Sequence, residues 1–330
     1  MSRPISRRQL LAVGAVAGLG GGAYAISRLT LHDSAPPYPG PIVIASGGTK
    51  GVYYQYGQAF AAAAGGRLGT MQLRPTTGSV ENLQLLAQGQ ATFAFVAADA
   101  ALDAYLGTSP FSSAVPVTAV ARLYDDYIHL VVRADSPVHG LAQLRGLRVS
   151  VGPPGSGTVL IADRVLAASG LDPQRDIVRA GLSINDSVPA LAGRSIDAFF
   201  WSGGLPTSGV SELATSTPLR LVDLAEAAVT LRQRRGASYP SYRTGTIPTG
   251  TYPGVEAVST VAVPNLLVTT ATTPAGLVNR LAAALFASAG TIGRSIPAAG
   301  QLDPRTSIFT EPIPLHEGAL AYYRSVKAQV

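Results

Sequence analysis

From residue 42 onward, short runs of β-branched and aromatic residues alternate with stretches whose apolar positions recur every three or four residues. The runs at 42–46, 71–75, 93–97, 117–123, 127–133, 148–151, 196–200 and 258–268 predict strands. Val80, Leu83, Leu86 and Ala87 share one helical face closed by Gly89. Likewise, Val159 to Ser169 ends at Gly170 and Leu277 to Ala289 ends at Gly290. Such alternation builds βαβ units, so the expected class is α/β with mixed, mostly parallel sheets and flanking helices.

The strand ends repeat a polar pattern. Strand 42–46 runs into Gly47-Gly48-Thr49, and strand 71–75 into Thr76-Thr77-Gly78-Ser79. Strand 148–151 runs into Gly152-Pro153-Pro154-Gly155-Ser156-Gly157-Thr158, and strand 196–200 into Trp201-Ser202-Gly203-Gly204. Each opens into small, hydroxyl-bearing residues ahead of an expected helix N-terminus. Ligands of open α/β sheets bind beyond the carboxyl ends of strands, and the partial positive charge of helix N-termini favours anions there. Any one such loop is equally an ordinary helix cap; four together point to a binding cleft.

Two interruptions suggest two lobes. Arg122-Leu123-Tyr124-Asp125-Asp126-Tyr127 separates two strands, and Asp125 and Asp126 read as a solvated hinge turn rather than an acid/base pair. Tyr239 to Gly254, rich in Pro, Gly, Tyr and Thr, leads back to an apolar strand. Lobe one is expected over 42–134 plus 258–330 and lobe two over 135–257, with two crossing segments as a hinge.

Composition narrows the function. The chain is 47% hydrophobic and 13% charged, with 36 Gly and 24 Pro, which suits a protein of many tight turns. Its +6 formal charge is half accounted for at the N-terminus, where Arg3, Arg7, Arg8 and Arg28 face only Asp33. The remainder is too weak and dispersed for a nucleic-acid footprint. No cysteine is present, which excludes disulfides, thiolate metal sites and cysteine nucleophiles.

Residues 1–35 read as a Tat-type signal and the start of a linker, continuing through 36–41. Paired Arg7-Arg8 precede a mild apolar run, Leu10 to Ile26, with an A-x-A pattern at Ala23-Tyr24-Ala25. Export with cleavage is expected, a retained membrane anchor being the alternative.

Enzyme motifs each miss a residue. Phe200-Trp201-Ser202-Gly203-Gly204 lacks the first glycine of G-x-S-x-G, and the 152–158 loop lacks the lysine of a P-loop. His32, His129, His139 and His316 are isolated, with no metal-ligand spacing, and His316 is expected to pack or cap the last helix. No catalytic residue, metal or cofactor is expected. Around a ligand we place Gly48, Thr49, Tyr53, Ser79, Asn82, Ser156, Gly157 and Thr158. Thr49, Ser79 and Thr158, with adjacent N–H groups, would hold a carboxylate through hydrogen bonds. Tyr53 and Trp201 would wall its aliphatic part, while Tyr54 is assigned to the core.

Seven blocks resemble the TAXI-type solute-binding subunits of TRAP (tripartite ATP-independent periplasmic) transporters. They are Gly47 to Gly57, Thr77 to Leu86, Val149 to Thr158, Ile196 to Trp201, Ile247 to Tyr252, Thr260 to Val268 and Pro314 to Tyr323. The resemblance implies a two-lobed, periplasmic-binding-protein-like (type II) fold, monomeric. It would capture a small carboxylate such as glutamate outside the cytoplasm and deliver it to TRAP membrane subunits. Lys50 and Trp201 depart from the family, adding a charge and a ring at the site. A receptor serving a sensor, or an exported hydrolase using Ser202 or Ser156, are the alternatives.

Overall fold

The computed structural model describes residues 36–64, 66–233 and 240–327, so the expected signal at 1–35 and His32 lie outside the described residues. The body, Gly40–Val330, forms one unit apart from Met1–Pro39. Its first part runs β1 (Ile42–Ala45), α1 (Val52–Ala64), β2 (Met71–Arg74), α2 (Ser79–Ala87), β3 (Phe93–Ala97), α3 (Ala98–Leu106) and β4 (Val117–Arg133). Then come β5 (Arg148–Ser150), α4 (Gly157–Ala168), β6 (Val178–Ala180), α5 (Ile184–Ala192), β7 (Ala198–Gly203), α6 (Ser208–Ser216) and β8 (Leu219–Leu221). The last part holds α7 (Ala225–Gln233), β9 (Arg243–Ile247), β10 (Val258–Thr270), α8 (Ala275–Gly293), α9 (Pro304–Ser307) and α10 (Glu317–Lys327).

Among the described residues, ten strands join in the order β2-β1-β3-β10-β4-β7-β5-β6, with β8 on β4 and β9 on β10. Pairing is parallel within each flank, β1 with β2 and β3, and β5 with β6 and β7. It is antiparallel where β4 and β10 run past one another and past their neighbours. These two long strands belong to both flanks: β10 pairs β3 over its C-terminal half and β9 over its N-terminal half. The result is a two-lobed α/β architecture tied together through the middle of one sheet.

Successive side chains of a strand point to opposite faces, so a strand buried on both sides reads as an unbroken apolar run. Phe199 and Phe200 are adjacent and both buried. Phe199 joins a cluster with Val131, Ile184, Leu191, Val210 and Leu213, whereas Phe200 joins the larger cluster with Leu130, Val149, Ile161 and Val165. Each such ring removed from water contributes about 1.5–3 kcal/mol. Helix α8 is long and apolar enough to cross a membrane; here Leu277, Val278, Leu281, Leu285 and Ile292 are buried along one face.

Two expectations change. The break expected between 117–123 and 127–133 is absent: Val117–Arg133 is one strand, continued through Asp125 and Asp126 by pairing with Pro264 and Val263. Strands β6, β8 and β9 were not expected, the last lying inside the segment taken as a Pro/Gly-rich return.

Candidate functional site

Between the flanks lies a cavity of about 130 Å³. A single water needs roughly 10–15 Å³ on this measure, so the space suits a molecule of about ten non-hydrogen atoms. Helix starts surround it: Gly51-Val52-Tyr53 of α1, Gly78-Ser79 of α2, Ser156-Gly157-Thr158 of α4 and Ser183-Ile184-Asn185 of α5. The first turns of a helix carry N–H groups with no intrahelical acceptor, so four partly positive ends converge. Tyr124, Asp126, Trp201, Ser202 and Gly203 from β4 and β7 also line it, with Gly47, Gly48, Thr76, Thr77, Ala97 and Pro153 from strand ends and loops.

Of the expected site residues, Gly48, Tyr53, Ser79, Ser156, Gly157, Thr158 and Trp201 line this cavity; Thr49, Lys50 and Asn82 do not. Thr49 is exposed. Lys50 turns to the surface, where Nζ meets Glu212 Oε2 at 2.7 Å. Asn82 is fully buried and donates to the Ser46 and Phe95 carbonyls at 2.6 and 2.8 Å, accepting from Thr76 Oγ1. It fastens α2 to the strand ends, so its amide is committed before any ligand arrives. The core tyrosine is Tyr56, not Tyr54: Tyr56 is fully buried and its ring tilts against Phe95 and stacks on Tyr124.

The lining side chains are held by their neighbours. Tyr53 stacks on Phe95 at 5.6 Å and donates its hydroxyl to Asn265 Oδ1. Ser79 Oγ accepts from the Ala97 N–H at 3.0 Å, and Ser156 caps α4 by accepting from the Val159 N–H at 3.1 Å. Trp201 donates through Nε1 to Thr207 Oγ1 at 2.9 Å. A side chain at position 203 would put its Cβ 2.4 Å from that nitrogen, so glycine there allows the indole its place. Behind it, Tyr252 accepts from the Thr207 N–H and meets His129 Nε2 at 2.8 Å. Burial lowers the His129 pKa to about 4, leaving a neutral structural imidazole.

The residue that sequence reasoning misjudged is Asp126. It is 4% exposed, faces the cavity and accepts from Ser202 Oγ at 3.0 Å. Burial raises its pKa to about 7, while the Asn265 amide and Ser202 pull it down and Asp99 pushes it up. Its Oδ1 and the Asn265 Nδ2 each lack a well-formed hydrogen bond. Its neighbour Asp125 is not solvated either: it is held mostly buried in ion pairs with Arg122 and Arg243. The phenols of Tyr53 and Tyr124 are raised well above their ordinary value, chiefly by burial, and stay neutral. The α5 start was also missed, although Ser183 and Asp186 display the S-x-x-D capping pattern in sequence.

No Lys, Arg or His is among the lining residues described. Ser202 meets a carboxylate rather than an imidazole, so no nucleophile–base pair of the hydrolase kind forms around it. His316 is buried, and its Nδ1 accepts from the Gly318 N–H at the start of α10, the capping position expected of it.

A model of the NMT1-like family matches residues 44–326, nearly the whole body. The chain belongs to the NMT1-like family. Among solved structures it is similar to a binding protein component of an ABC phosphonate transporter from Pseudomonas aeruginosa. That match has 12% identity and a TM-score of 0.53, covering 89% of this chain and 96% of the other. It is also similar to a Bordetella bronchiseptica RB50 protein at 19% identity and a TM-score of 0.51, covering 86% and 89%. The two-lobed, periplasmic-binding-protein-like α/β fold expected for this NMT1-like chain is thus the fold it has.

Proposed function

We propose that this NMT1-like protein is an extracytoplasmic solute-binding protein, not an enzyme. It takes a small organic anion, glutamate-like or another carboxylate, into the cavity between its lobes and delivers it to TRAP-type membrane subunits. The observation that carries this is the convergence of four helix N-termini, drawn from both flanks, on one small cavity. The likeness to a transporter binding component of the same fold supports it, as does the paired-arginine N-terminus that would export the chain. Lobe one, 42–134 plus 258–330, and lobe two, 135–257, would close on the solute by flexing where β4 and β10 cross. Contacts across the mouth suit a closed form: Ser208 Oγ donates to the Lys50 carbonyl at 3.0 Å, and the Glu81 N–H to the Gly155 carbonyl at 3.0 Å.

Thermal shift of protein stripped of carried-over solute, against a panel of amino acids and mono- and dicarboxylates, tests the assignment. A ligand at 100 times its Kd stabilises by about 2.7 kcal/mol, a shift of several degrees. The variant Gly157→Ala places a Cβ 2.8 Å from Ser79 Oγ, between the lobes. Its response to the same ligand is expected to shrink while its unliganded melting temperature holds. No stabilisation by any compound would refute solute binding.

A further inference from the structure

A cavity built only for an anion would gain from a cation in its wall, yet the described lining contains none and instead contains one carboxylate. Asp126 is a lining residue on β4, at the rung where β4 pairs with Val263 of β10. Ser202 from β7 satisfies Oδ2, while Oδ1, with the Asn265 amide acting on the carboxyl, has no well-formed hydrogen bond. Around it stand Tyr53 from α1, Tyr124 on its own strand and Asn265 from β10, all neutral. Asp99 from α3 acts on it through space and is itself tied to Arg164 and Tyr242. The guanidinium groups of Arg122 and Arg243 go to Asp125. A nine-tenths buried carboxylate that lines a ligand-sized space, with one oxygen lacking a well-formed hydrogen bond, calls for a donor carried in by the solute.

Resting on the solute-binding assignment above, we propose that Asp126 selects an amino acid over a plain organic acid. It does so by receiving the ligand's ammonium while the first turns of α2 and α4 receive its carboxylate. The two ends of the site are then matched to the two ends of a zwitterion. Tyr53 and Trp201 flank the carbon skeleton between them, and the four helix ends answer only one of its charges.

Titration calorimetry on stripped protein tests this with each of the twenty L-amino acids and its counterpart lacking the amine, such as L-glutamate against glutarate. At pH 8 the amino acid is expected to bind at least 100-fold more tightly than its counterpart. Both charges of the amino acid persist from pH 5 to 8, so its affinity should fall about tenfold per pH unit below 7 as Asp126 takes up a proton, roughly 100-fold by pH 5. The counterpart should bind better at pH 5 than at pH 8. Asp126→Asn should lose at least tenfold affinity for the amino acid and flatten its pH profile. If counterparts bind as tightly as amino acids, or if a folded Asp126→Asn keeps affinity and profile, the assignment of Asp126 is overturned while solute binding stands. If neither set binds, solute binding falls with it.

Discussion

Replacing Asp126 by asparagine should stabilise the ligand-free protein, and should do so only at neutral and alkaline pH. The carboxyl titrates near 7 when folded against 3.8 ordinarily. Between those values the folded protein keeps a proton that the unfolded chain has released. Wild-type stability therefore falls as pH rises, by about 1.4 kcal/mol per unit and about 4 kcal/mol in all by pH 8. The amide retains Ser202 as a donor to its oxygen, but its NH2 group meets no acceptor at Oδ1, which costs about 1–2 kcal/mol at every pH. The net expectation is a variant slightly less stable than wild type at pH 4 and about 2 kcal/mol more stable at pH 8. For a body of this size that is roughly 3 °C in melting temperature. Differential scanning fluorimetry of stripped protein across pH 4 to 9 measures it. A difference between variant and wild type that does not change with pH would refute the buried, ionising carboxylate on which the magnitude rests.

Two further substitutions probe groups outside the cavity. Arg164 is 14% exposed and bridges Asp99 at 2.7 Å and Asp103, both buried, so Arg164→Met removes the cation between two buried carboxylates and should cost about 3–5 kcal/mol in urea unfolding. Tyr56→Phe removes a buried hydroxyl that has no partner, and chemical denaturation should find it within about 1 kcal/mol of wild type, on the stabilising side.

Much of the architecture was legible because burial on both sheet faces writes itself as apolar runs. Strands β1 and β3, reading IVIA and FAFVA, fell where Ile, Val and Phe cluster, each within a residue. Strands β6, β8 and β9, reading VRA, LRL and RTGTI, are short and carry arginine, so no local alternation announces them. They exist because β5, β4 and β10 offer edges to pair with. The site divided the same way. Ser79, Ser156, Gly157 and Thr158 were visible as helix-start chemistry. Asp126 was not, because a pair of adjacent aspartates looks solvated until a strand places one on each face. Which of the two turned inward depended on register against β10, a partner more than 130 residues away. Tyr54 and Tyr56 were exchanged because their burial depends on the helix rotation set by Phe95 and Tyr124 rather than on spacing.

The β4–β10 ladder shifts register between Pro264 and Leu266, alongside Asp125 and Asp126, and proline has no N–H to give to that ladder. The weakest rung of the crossing thus sits beside the carboxylate that faces the cavity. If the proposed lobes tilt against one another, the backbone would bend next to Asp126, the residue proposed to meet the guest. Occupancy and posture would then be read at one locus, with no relay of intervening side chains to carry the message.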